Sequence, residues 1–251
     1  MRFFYVAPSA VDGARAVVEG AEAAHARHVL RLSRGSEVGL VDGCGFEYLA
    51  VIDRVLPGRL ELEVREKRPA AGIPSLRLGL AQGWLKEKKM DRLVRTLSEL
   101  GAARFIPLSC ARAVVRPAAG RSAFRRERWR RIAVEALKQC RRGNLLEVEE
   151  ETSLERLLAV ETDWEVRVLF WEEAATPLSA ADLRGGEASS VLAVLGPEGG
   201  FSREEADAAA AAGFLVRRLG PRVLRADTAA AAAAAILQFL AGDLGAAPKR
   251  S

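Results

Sequence analysis

The 251-residue chain has no apolar run of membrane-spanning length, and its opening, Met1-Arg-Phe-Phe-Tyr-Val6, is too short and wrongly flanked for a signal peptide. Its three cysteines, Cys44, Cys110 and Cys140, lie far apart, in neither disulfide-framework nor zinc spacing. These absences point to a soluble cytoplasmic protein with reduced thiols. Only two histidines are present. His25 and His28 share a helix face, but no third ligand follows at motif spacing, so no metal is expected. The chain also lacks G-x-G-x-x-G and G-x-x-x-x-G-K-[ST], which disfavours a conventional dinucleotide enzyme or phosphate-loop ATPase. There is no G-x-S-x-G nucleophile elbow either.

What is present is unevenly charged. The net charge of +5 hides a division: residues 1–76 carry ten Lys/Arg and ten Asp/Glu, residues 77–142 carry 18 against 5, and residues 143–251 carry 10 against 18. An excess of thirteen positive charges in the middle segment is the footprint of a phosphate-backbone contact surface. A basic surface that merely balances the acidic C-terminal part is the plainer alternative. The stretch from Arg121 to Arg131, with Trp129 inside it, is the densest part.

With 49% hydrophobic residues the chain can fill one large domain or two modest ones. Its first 70 residues read mainly as short strands: Phe3 to Val6, Glu37 to Val41, Phe46 to Val55 and Arg59 to Lys67. Asp42-Gly-Cys-Gly45 is a hairpin signal, and Pro57-Gly58 is another turn. One helix interrupts, from about Ala21 to Leu32. This pattern suggests a small barrel. Arg68 to Ser75 is the best linker. Beyond it strands and helices alternate, which implies a mostly parallel sheet covered by helices. The strands fall at Leu76 to Ala81, Arg104 to Pro107, Glu165 to Trp171, Val191 to Leu195 and Phe214 to Leu219. The helices fall near Lys86 to Leu100, Phe124 to Arg142, Ser179 to Leu183, Ser202 to Ala212 and Thr228 to Leu240. The last is alanine-rich with almost no polar face, as suits a buried helix or a subunit interface.

Two glycine loops stand out. Leu195-Gly-Pro-Glu-Gly-Gly-Phe-Ser202 follows a strand and leads into a helix, with Ser202 and Glu205 spaced as a capping box. Alone it is either an ordinary connection or a ligand loop at a strand's carboxyl end. Leu219-Gly-Pro-Arg-Val-Leu-Arg225 repeats the theme about twenty residues on.

Together these loops resemble the signature of the bacterial 16S ribosomal RNA (uracil N3) methyltransferases, of the SPOUT class. Arg2-Phe-Phe4, His28-Val-Leu-Arg31, Ser98-Glu-Leu-Gly101, Ala111-Arg-Ala-Val-Val115 and Glu135-Ala-Leu-Lys-Gln139 also look like family segments in order, so the resemblance covers nearly the whole chain. It implies a PUA-like RNA-binding barrel over residues 1–70. A mostly parallel α/β SPOUT domain would follow over 76–251, with a C-terminal trefoil knot. It implies S-adenosylmethionine as cofactor and a homodimer. The reaction implied is methylation of N3 of the uridine conventionally numbered 1498 in 16S rRNA of the small subunit. The alternatives are a SPOUT enzyme acting on another RNA position and a catalytically inactive ribosome-assembly RNA binder.

By similarity, Leu195, Gly196, Pro197, Glu198, Gly200, Leu219, Gly220 and Leu224 line the cofactor, with the loop after Trp171 closing one side. Arg225 is the candidate to stabilise negative charge on the uracil oxygens. Asp227 either orients Arg225, accepts a proton or serves as the N-cap of the next helix; the family more often shows Glu there. Expected RNA contacts are Arg31, Lys88, Arg112, Lys138, Gln139 and Arg142.

Overall fold

Apolar and charged residues alternate along most of the first seventy positions, and the chain answers with strands. The computed structural model describes residues 1–86, 88–113 and 122–245. It divides into two compact units. One is Met1–Ile73 with Val134–Leu145, and the other is Pro74–Ala133 with the chain from Leu146 on.

The first unit holds β1 (Phe3–Tyr5), β2 (Val11–Asp12), β3 (Arg15–Glu19), α1 (Ala21–His28), β4 (Glu37–Val41), β5 (Phe46–Leu56) and β6 (Arg59–Pro69). They form one six-stranded mixed sheet in the order β1-β4-β5-β6-β3-β2, in which only the β1–β4 pair is parallel. Phe4, Val18, Leu40, Ile52, Leu60 and Leu62 fill its core, together with Ala23 and Ala26 of α1. Asp42 makes the β4–β5 turn. Its Oδ1 accepts from the amides of Cys44 (2.8 Å) and Phe46 (3.1 Å), and its Oδ2 accepts from the Tyr48 hydroxyl (3.1 Å). A buried carboxylate satisfied three times is a specific turn device.

Three features differ from the sequence expectation. The helix ends at His28 rather than Leu32, because Arg31 adopts φ +52° and Leu30 and Leu32 fold back onto the core. A further hairpin, β2–β3, turns at Gly13-Ala14, with strands too short to show a clear period. The stretch from Arg68 is not a loose linker: β6 runs to Pro69, and the Ala70 amide donates to the Gly45 carbonyl (2.9 Å).

The second unit holds β7 (Arg77–Gly83), α2 (Lys88–Glu99), β8 (Arg104–Ser109) and α3 (Ser122–Cys140), whose end counts with the first unit. After it come β9 (Glu147–Val148), β10 (Thr152–Ser153), α4 (Leu154–Val160), β11 (Val166–Phe170), β12 (Ser190–Leu195), α5 (Arg203–Ala211), β13 (Leu215–Arg217) and α6 (Ala226–Ala241). The sheet runs β10-β8-β7-β12-β11-β13, with β9 also on β8, and every pairing is parallel. The central strands β7 and β12 are buried almost throughout, as their continuous apolar runs require. On α2, Met90, Leu93, Val94 and Leu97 form the buried stripe. The alanine-rich α6 packs on β7, β12 and α2 through Ala230, Ala233, Ala234 and Leu237, while Phe239 and Ile236 face outward.

The capping box read from sequence is formed. Ser202 Oγ accepts from the Glu205 amide (3.2 Å), and Glu205 Oε2 accepts from the Ser202 amide (2.8 Å). Ser202→Ala is therefore expected to lower stability by about 1 kcal/mol. A fall in the urea midpoint at unchanged slope is the check; no fall would mean the loop holds without its cap.

Candidate active site

Three connections meet where β12, β11 and β13 end. After Leu195 comes the first glycine loop, after Phe170 comes Trp171-Glu172, and after Arg217 comes the second glycine loop, which runs into α6. Between them lies a cleft of about 340 Å³. Trp171, Leu195, Gly196, Pro197, Glu198, Gly200, Leu219, Gly220 and Leu224 all line it, and so does Arg225. In a parallel sheet, this carboxyl end is where ligands bind.

The backbone here is arranged tightly. Gly200 sits at φ +67°, and a Cβ on it would strike the Glu172 carboxylate. Gln82, fully buried at the end of β7, donates its amide to the carbonyls of Gly83 (3.0 Å) and Gly196 (2.7 Å). The second loop is entered through Arg217, whose Nε (3.0 Å) and Nη2 (2.7 Å) grip Asp182 Oδ1. Arg217 also offers its carbonyl to the Trp171 amide (2.8 Å).

The lining suits a small ligand with both apolar and polar parts. Phe170, Trp171, Leu195, Phe201, Leu219 and Leu224 supply apolar surface. Among the described residues, the amides of Gly220, Arg222, Val223 and Leu224 have no hydrogen-bond partner, and the buried Trp171 indole Nε1 has none either. A cleft that joins apolar walls to a few unspent donors is the usual form of a small-molecule site.

Charge gathers at one side. Lys89 Nζ lies 2.5 Å from Glu198 Oε1 and 4.0 Å from Asp227 Oδ1. Asp227 is the second residue of α6, and the N-cap is Arg225, so the N-cap reading of Asp227 is corrected. A carboxylate in a helix's first turn is favoured by the helix dipole. Asp227 Oδ1 is buried and accepts no hydrogen bond. The Arg225 side chain is exposed. The sequence reading missed Lys89, Glu172, Arg218 and Arg222 as lining residues. Glu172 was within reach as the neighbour of Trp171; the direction of Lys89 from a helix start was not.

The six expected RNA contacts differ in their surroundings. Arg31, Lys88, Arg112 and Gln139 are exposed. Arg112 Nη1 donates to the Phe201 carbonyl (3.2 Å). Lys138 is only 13% exposed, held by Glu22 (2.6 Å) and Glu135 (2.8 Å), and Arg142 is 4% exposed. Arg121, Val114 and Val115 lie outside the described residues. Among the described residues no group of three His, Cys, Asp or Glu is placed to hold a metal ion, and no helix is long and apolar enough to cross a membrane.

A parallel sheet with a ligand cleft walled by two glycine loops, joined to a mixed β unit, defines a two-part α/β small-ligand-binding protein. Comparison with known proteins narrows this. Residues 73–238 match the family described as RNA methyltransferase domain, and residues 18–64 match the RNA methyltransferase PUA domain. Ribosomal RNA small subunit methyltransferase E of Mycobacterium bovis is 32% identical over 235 residues, covering 92% of this chain and 88% of that protein. The Bacillus subtilis protein of the same name is 30% identical over 217 residues, covering 84% and 85%. The Neisseria gonorrhoeae enzyme of that name, solved bound to S-adenosyl methionine, superimposes with a TM-score of 0.87 at 27% identity, covering 97% and 99%. The chain belongs to the RNA methyltransferase family that these proteins represent.

The link at the second loop's entry sets a pH dependence. Hydrogen bonds from Arg217 hold the Asp182 carboxyl below its usual range; burial opposes this, and the Ser179 amide and hydroxyl add to it. A lowered folded-state value means the contribution is complete above the unfolded carboxyl's pKa, about 3.9, and is lost as pH falls through the folded one. Asp182→Asn is expected to cost stability at pH 7 and progressively less below pH 4. Urea titrations across that range test it, and a pH-independent gap would count against the ion pair.

Proposed function

We propose that the protein methylates N3 of uridine 1498 in 16S rRNA of the small ribosomal subunit, using S-adenosylmethionine. The observation that carries this reading is the convergence of both glycine loops on one cleft, in a chain aligned along 92% of its length with ribosomal RNA small subunit methyltransferase E of Mycobacterium bovis. When bound, S-adenosylmethionine supplies a methyl carbon made electrophilic by its sulfonium sulfur.

The chain's own residues then have little covalent work. The apolar walls and the unpartnered amides of the second loop hold the adenosine part, with Gly196 and Gly200 allowing close backbone approach. Glu198, at the polar side, faces the cationic end of the ligand. Arg225 stands by the uracil oxygens, where negative charge grows as N3 loses its proton. Asp227, with an unused buried oxygen, accepts that proton directly or through water. The group held by these loops would supply its methyl to N3, while Asp227 keeps the proton that N3 gives up. The target base must leave its stack to reach the cleft.

Residues 1–70 act as a PUA-like RNA-binding unit and 76–251 as the catalytic unit, with the C-terminal segment knotted around the cofactor loops. Two copies pair through the outward face of α6; the exposure of Ile236 and Phe239 there supports this. A ribosomal substrate makes the cytoplasm its place of work.

Purified protein with labelled cofactor and unmodified small subunits should put label into 3-methyluridine; label in another nucleoside would keep the class and overturn the target. Arg225→Ala should abolish methylation and leave cofactor affinity within about twofold; retained turnover would remove Arg225 from its role. Because Lys88 and Arg112 are exposed, replacing both by Ala should weaken RNA binding and flatten its salt dependence. The log–log slope should fall by roughly 0.7–0.9 for each phosphate that is no longer neutralised. An unchanged slope would take both side chains off the RNA-facing surface.

A further inference from the structure

Lys89, from the start of α2, and Glu198, from the first glycine loop, bring charge to one side of the cleft, and Asp227, in the first turn of α6, stands behind them within reach of Lys89. One ammonium serves both carboxylates, at 2.5 Å and 4.0 Å, so the two acids stand no farther apart than those distances together. Their side chains are 31%, 25% and 38% exposed, so water screens them only in part. The other charges near Asp227 are Arg225, two positions before it, and the N-terminal dipole of α6. Arg218, Arg222 and Glu172 also line the cleft.

Asp227 Oδ1 has no hydrogen-bond donor, so the Lys89 ammonium is the nearest compensation the structure gives it. Without that cation, the Glu198 and Asp227 carboxylates would stand close together with no ammonium between them. Such a pair repels, and one member turns away or takes up a proton. Either change would disturb the acceptor for N3 and the wall of the first loop together.

We propose that Lys89 is a positioning residue for the methyl transfer: its ammonium braces Glu198 at the first glycine loop and balances Asp227, so that both acids keep their places as ligand enters. This rests on the roles given above to Glu198 and Asp227. An ordinary surface ion pair at the same place would influence melting and little else.

The test compares Lys89→Met, Lys89→Arg, Glu198→Gln, Asp227→Asn and the double variant K89M/E198Q. The measurements are kcat and KM for S-adenosylmethionine, cofactor affinity by calorimetry, and melting temperature. Lys89→Met should lower kcat about tenfold with little change in melting, and Lys89→Arg should stay within about threefold of wild type. In the double variant the loss should be smaller than the product of the single losses, because the unbalanced neighbour has been removed. The same non-additivity should appear in cofactor affinity, which is read without turnover. Wild-type kcat and KM in Lys89→Met, or single effects that simply multiply, would overturn the proposal. If Asp227→Asn is inactive while Lys89→Met is normal, only the Lys89 inference falls. If Asp227→Asn methylates at the wild-type rate, the role of Asp227 falls and the proposal with it.

Discussion

The close crossing of the first glycine loop over the end of β7 is the constraint on which the cleft depends. Gly83 ends that strand, and a Cβ there would clash with the Pro197 nitrogen. One residue earlier, the buried Gln82 amide holds the Gly196 carbonyl. Two neighbouring parallel strands, β7 and β12, are thus tied at their carboxyl ends by side chain to backbone as well as by the ladder. The loop cannot rise without breaking a buried hydrogen bond, which is costly when the acceptor has nowhere else to turn. From this fixed edge the loop delivers Glu198 toward Lys89 and then Phe201 into the core.

Much of this was legible in the sequence, for local reasons. Continuous apolar runs such as Val191 to Leu195 mark buried parallel strands, and Ser202 with Glu205 marks a helix start, because period and capping act over a few residues. The nine positions expected to line a cofactor came from the resemblance, and the fold brings them to one cleft. What escaped depends on distant partners. Arg31 ends α1 by taking a left-handed turn, which nothing in its neighbours demands. Lys138 looks like a free cation in the sequence, but Glu22, 116 positions away, takes it up. Lys89 has three basic neighbours in its segment, and only tertiary packing decides that it is the one facing the cleft.

The excess of positive charge in residues 77–142 is also smaller in effect than its count. Arg104 is shared by Glu149 and Glu161, Arg126 pairs with Glu150, and Arg128 pairs with Asp91, which also accepts from the Trp129 indole. Several partners come from the acidic part of the chain after residue 142. The charge asymmetry read along the sequence is therefore partly an internal complementarity between segments.

The second glycine loop has an uneven anatomy. Its entry is fastened by Arg217 to Asp182 and its exit is the first turn of α6, yet the amides of Gly220, Arg222, Val223 and Leu224 between them bind nothing among the described residues. Fastened ends limit the conformations this stretch can sample, so most of the ordering entropy is already spent when the chain folds. The open amides then act as a recorder of occupancy. They exchange with solvent protons while the cleft is empty and fall silent once a ligand's acceptors reach them, which would let the backbone itself report how long each ligand stays.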